Sequence, residues 1–133
     1  MSAIRKHMGL YLRFQQNNFQ ATHVAAFLRA VLRHLRGPVI LLWDNGPIHK
    51  GPFMAQLQRD YPRLHVETFP GYAPELNPVE QVWNNFKGHD ANILFRNKQH
   101  LRLRLHDNAR RVCRSQATLR SFILASDLPS PPW

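Results

Sequence analysis

At 133 residues the chain is long enough for one modest domain with a core of its own. Its 18 Lys and Arg against 8 Asp and Glu give a net charge of +10, which points to a polyanionic partner, nucleic acid above all. One cysteine excludes a disulfide framework or multi-cysteine zinc site, and the sequence shows neither a membrane-length apolar run nor a secretory signal, so the expectation is a cytoplasmic protein with no membrane partner.

In chain order, residues 9–20, "GLYLRFQQNNFQ", alternate in polarity and then turn polar, which predicts a strand followed by a turn. "ATHVAAFLRAVLRHLRGP" follows with Thr22 as N-cap, an apolar stripe of Val24, Phe27, Leu28, Val31, Leu32 and Leu35, and a Gly37-Pro38 stop. "VILLW", residues 39–43, is a continuous apolar run too short for a helix. It predicts a strand covered on both faces, as in a mainly parallel sheet. "PFMAQLQRDYP" reads as a short helix, "LHVETF" as a second strand and "PGYAPELNP" as a loop. "PVEQVWNNFKG" is helical, with Val79, Val82, Trp83 and Phe86 forming the core stripe. Residues 98–125 are mostly helical and basic, with a break near Ser115, and the tail "DLPSPPW" is irregular. The alternation of strands and helices predicts one α/β domain over residues 1–133.

The acids are unevenly placed. Positions 1–43 hold none, while Lys and Arg occur there six times; Asp44 is the first acid of the chain. In open α/β sheets chemistry gathers at the carboxyl ends of strands, and Asp44 directly follows "VILLW". It is equally a turn residue, since "DNGP" is good turn chemistry. Glu80 has two readings as well. With Asn77 as N-cap and Pro78 at the first helical position, Glu80 fits the third position of a capping box. It also lies on the flank of the apolar stripe, where a carboxylate looks into a cleft, and Lys87 points nearly the same way two turns on.

Taken together, "WDNGPIHKG" and "PGYAPELNPVEQVWNNFKG" resemble the C-terminal half of the DDE catalytic domain of mariner-type and bacterial insertion-sequence transposases. The resemblance covers about residues 10–125 and is specific, because two motifs agree together with the length between them. It implies an RNase H-like α/β fold with a mixed sheet flanked by helices. It also implies two Mg2+ (or Mn2+) ions for DNA strand cleavage and transfer, with Asp44 matching the family's second metal-binding acid and Glu80 its third. Asn45 and His49 match the family's Asp-Asn and His positions and are expected to support the site from behind or to shape the turn. Glu75 is expected to be a loop hydrogen-bonder, Trp83 and Phe86 core residues, Lys87 a DNA contact and Cys113 a buried, inert thiol.

No residue matches the family's first acid, which lies on the opening strand of the sheet. The expectation is therefore a domain incomplete at its N-terminus, inactive alone, with an exposed sheet edge open to pairing. The segment from Lys87 to Arg120 carries nine of the 18 Lys and Arg. Arg102, Arg104, Arg110, Arg111 and Arg114 are the candidates there for phosphate contacts. The implied partners are DNA (transposon ends and target), an upstream chain supplying the missing strand and acid, and a second copy in a homodimer. The competing function is a catalytically silent module that binds DNA or pairs with intact transposase.

Overall fold

The computed structural model describes residues 7–44 and 46–129. The chain forms two compact units, one of residues Arg13–Ala73 and one combining its start with the stretch from Pro74 onward.

In the unit Arg13–Ala73, helix α1 spans Ala21–His34. Its N-cap is Gln20, not Thr22: the Gln20 N–H is taken by Nδ1 of His23 at 3.1 Å, so the helix begins before Thr22 is reached. At the other end the Arg63 guanidinium donates to the carbonyls of Leu32 and, at 2.7 Å, Gly37, satisfying acceptors that the helix leaves open. Gly37 turns the chain out with φ 79°, a conformation side chains disfavour.

Strand β1, Val39–Trp43, pairs in parallel with β2, Leu64–Thr68, in a register running from Val39↔Leu64 to Trp43↔Thr68. Parallel strands need a crossover, here helix α2, Pro52–Asp60, whose N-cap Gly51 has φ 129°. Leu28 and Leu32 of α1, Met54 and Leu57 of α2, and Trp43 and Leu64 of the strands form the core, with Val39, Leu41 and Val66 packed against it. All the strand residues in that list share one face of the sheet. The opposite face is open: Ile40 is 68% and Leu42 46% exposed, so β1 is covered on one side rather than on both. Among the described residues the sheet is this parallel pair, not the mixed sheet that was expected.

Among the described residues no strand forms at "GLYLRF", where one was expected. The alternation survives, with Leu10, Leu12 and Phe14 half-buried and Gly9, Tyr11 and Arg13 exposed. A strand is made by its hydrogen-bond ladder, so alternation alone does not create one.

In the other unit, helix α3 covers Pro78–Asp90, α4 Lys98–Arg114 and α5 Gln116–Leu124. Each starts on a side-chain cap: Asn77 Oδ1 accepts from Val79 N–H (3.1 Å), Asn97 Oδ1 from His100 N–H (2.8 Å) and Ser115 Oγ from Thr118 N–H (3.1 Å). Ser115 thus ends α4 and begins α5, which is the break read from the sequence. Val82, Phe86, Val112, Leu119 and Phe122 are the buried apolar side chains of these helices. Val79 and Trp83, expected in the core, are 45% and 39% exposed; the buried stripe of α3 narrows to Val82 and Phe86. The Gln116 side chain brackets residue 8, donating to the Met8 carbonyl at 2.8 Å and accepting its N–H at 3.0 Å.

Candidate metal and nucleic-acid sites

β1 ends at Trp43, so Asp44 emerges at the carboxyl end of a parallel strand. The ladder holds that end in place, Phe69 N–H donating to the Trp43 carbonyl at 2.9 Å. After Asp44 the chain passes Gly46 into a single 3-10 turn, Pro47–His49, closed by His49 N–H to the Gly46 carbonyl at 3.0 Å. The turn folds His49 back beside Asp44. Oδ1 of Asp44 accepts the Gly46 N–H at 2.9 Å and faces His49 Nδ1 at 2.7 Å, while Nδ1 also lies 3.2 Å from the Asp44 main-chain carbonyl. The imidazole is stacked on the Trp43 indole with centroids 4.4 Å apart and planes within 5°. Asp44 therefore does serve as a turn aspartate, but through one oxygen only. Among the described residues Oδ2 has no partner, and the side chain is 66% exposed. Asn45 lies outside the described residues.

Glu80 is exposed in the first turn of α3. The capping box offered by the sequence is not formed. Asn77 caps through its own side chain, and its N–H goes to the Pro74 carbonyl at 3.0 Å instead of to Glu80. Among the described residues the Glu80 carboxylate makes no hydrogen bond or ion pair. Glu75 sits in the 3-10 turn Pro74–Leu76, and it is its carbonyl, at 3.0 Å from Asp127 N–H, that bonds.

The basic candidates separate into two kinds. Lys87, Arg102, Arg110 and Arg114 are exposed, with their charged heads uncommitted among the described residues. Arg104 is half-buried and leans on Asp90 at 3.7 Å, and Arg111 donates to Asn108 Oδ1 at 3.2 Å. Cys113 is exposed rather than buried, its thiol donating to the Leu10 carbonyl at 3.4 Å. Partial burial pushes the thiol's pKa up by desolvating the thiolate.

Among the described residues no three of His, Cys, Asp and Glu are grouped as a metal cage, and no helix is long and apolar enough to cross a membrane. The family of DDE superfamily endonucleases matches residues 1–102. The chain belongs to that family. DDE superfamily endonucleases act on DNA and typically use divalent metals, which accords with the +10 charge and with acids left open at a strand end and a helix start. No curated protein and no solved structure matches this DDE endonuclease chain.

Trp43 and Gly46 adjoin Asp44 and His49 in the structure. Trp43 looked like one more apolar strand residue, and Gly46 one more turn glycine. Gly46 was nonetheless signalled by its place two residues after the acid, where only a residue without Cβ allows the approach: a Cβ there would stand 2.9 Å from Asp44 Oδ1.

Proposed function

We propose that this DDE superfamily endonuclease is a transposase-type nuclease of the mariner and insertion-sequence kind, with an RNase H-like catalytic domain. It cuts and joins DNA strands using Mg2+ or Mn2+ held by Asp44 and Glu80. The observation that carries this reading is the state of Glu80. The sequence offers a capping box there, yet the box is not formed and the carboxylate is left exposed and without a partner among the described residues. With Asn77 as the cap, Glu80 is not tied down by a capping hydrogen bond and its oxygens stay open.

The donor set fits the ions. Oδ2 of Asp44 and the two oxygens of Glu80 are hard ligands, the type Mg2+ and Mn2+ select, and both ions keep open positions for water and phosphate oxygens. When bound, the ions supply activation of water or a DNA 3′-hydroxyl and stabilisation of the leaving oxygen. Asp44 contributes a charge fixed by the end of a ladder-held strand, and Glu80 one fixed on the first turn of a capped helix. The exposed Lys87, Arg102, Arg110 and Arg114 hold the phosphate backbone, which fixes register without reading sequence. No Asp or Glu precedes Asp44 in this sequence, so none of its residues matches the family's first carboxylate.

That same gap favours a second reading, a module that binds DNA or pairs with a complete transposase and has no catalysis of its own. Nicking of supercoiled plasmid with Mn2+ separates the two. The enzymatic reading expects nicking, alone or with a partner segment added, that Asp44→Asn and Glu80→Gln each abolish while DNA retention persists. Retention with no nicking under either condition leaves the binding module standing.

A further inference from the structure

The geometry points to His49 as a positioning residue that decides which oxygen of Asp44 meets the cation, an inference that rests on the metal-binding reading of Asp44. Both groups facing His49 Nδ1, the carboxylate Oδ1 at 2.7 Å and the main-chain carbonyl at 3.2 Å, are acceptors only. Nδ1 must therefore carry the proton, whether the ring is neutral or charged, and it donates to both. The Gly46 N–H supplies a second donor to the same Oδ1 at 2.9 Å. With two donors on Oδ1 and no described partner on Oδ2, the carboxylate is divided: Oδ1 is anchored to the protein and Oδ2 is left for a metal. A cation at Asp44 would then meet a single carboxylate oxygen.

What makes His49 an aligned donor is its mounting. The 3-10 turn Pro47–His49 sets its backbone, and the Trp43 indole fixes the ring plane, parallel within 5° at 4.4 Å. Trp43 is itself 9% exposed and belongs to the core, so the ring plane of His49 is referenced to the interior of the unit and not to a mobile surface. The residues in line are Trp43, His49 and Asp44: the packed core orients the imidazole, and the imidazole orients the ligand. Partners of this kind behind a metal ligand usually matter 10- to 100-fold in metal affinity, so a loss of about tenfold is expected on removing His49.

The test is Mn2+ affinity by electron paramagnetic resonance on the full chain, comparing wild type with His49→Ala, His49→Asn and Asp44→Asn, and checking folding by circular dichroism. The side-chain amide of asparagine places an N–H about where Nδ1 sits, so His49→Asn keeps the donor and loses the ring. The expected result is about a tenfold loss for His49→Ala, recovery to within about threefold for His49→Asn, and loss of site binding for Asp44→Asn. A His49→Ala protein that binds Mn2+ like wild type while Asp44→Asn does not overturns the role given to His49 alone. Equal losses in His49→Ala and His49→Asn also overturn it, because stacking rather than donation would then matter. Unchanged binding in Asp44→Asn overturns the metal reading beneath it. Independently, 15N NMR of the metal-free protein with its ring neutral should show His49 protonated on Nδ1; a proton on Nε2 contradicts the hydrogen bonds on which the inference stands.

Discussion

Replacing Gly46 by alanine separates function from stability at this site. The backbone at Gly46, φ −60° and ψ 148°, is open to any residue, so alanine costs no strain there. Its effect on the unfolded chain is mildly stabilising, about 0.4–1 kcal/mol. The new Cβ, however, would stand 2.9 Å from Asp44 Oδ1 and 3.7 Å from its Cγ, where ordinary contact begins at 3.4 Å. The carboxylate must retreat by about 0.5 Å, and misplacement of ~1 Å can cost about a hundredfold at a reacting centre, so roughly tenfold is the expectation. Because Asp44 is 66% exposed, it yields by turning away, not by forcing the core apart. Thermal unfolding should leave Gly46→Ala as stable as wild type or slightly more so, while isothermal calorimetry shows Mn2+ binding about tenfold weaker. A variant with raised stability and undiminished Mn2+ affinity would refute the claim that the close approach of Gly46 sets the carboxylate.

Four further outcomes follow from the same geometry. Leu57, with 0% exposure between the sheet and α1, should lose about 2–5 kcal/mol in urea unfolding as Leu57→Ala, whereas Leu42→Ala on the open face should cost about 0.5 kcal/mol or less. Arg63→Ala strips the donors from the Leu32 and Gly37 carbonyls at the end of α1 and should cost about 1–3 kcal/mol in the same assay. Arg110→Ala and Arg114→Ala should each flatten the plot of log DNA affinity against log salt by up to about 0.9, and Arg111→Ala, whose guanidinium is shared with Asn108, by less. The Cys113 pKa is raised by desolvation, so its thiolate forms at higher pH than a free cysteine's; iodoacetamide should label it more slowly near pH 8, with the rate rising later as pH increases. The linkage has the matching sign: the folded state binds the thiol proton more tightly, so this contribution to stability is present below the free-cysteine pKa and is lost as pH climbs through the raised one.

The elements with a strong local signal were legible in the sequence. The periodicity of α1, the apolar run of β1, the Asn77-Pro78 start of α3 and the serine between α4 and α5 all lie within a turn of where they were expected. What escaped depended on partners that no local window contains. "GLYLRF" has the strand pattern and even the alternating burial, but a ladder needs a neighbour. "VILLW" reads as doubly covered because nothing in five apolar residues says that the helices on its two sides share one face. Trp83 fits a helical stripe, yet the stripe that packs is only as wide as the facing helices make it. At the candidate site the acids stood out because they are few and because the two motifs surround them. The stacking of His49 on Trp43 did not, since it depends on a turn bringing residues 43 and 49 face to face.

The proposal that Asp44 and Glu80 hold the same metal is tested most directly by a double-mutant cycle on Mn2+ affinity with Asp44→Asn, Glu80→Gln and the pair. Ligands of one site are strongly coupled, so the double variant should bind no more weakly than the poorer single variant, by an interaction energy of about 1–3 kcal/mol. Losses that simply add, or a Glu80→Gln protein that binds as wild type, would contradict a shared site.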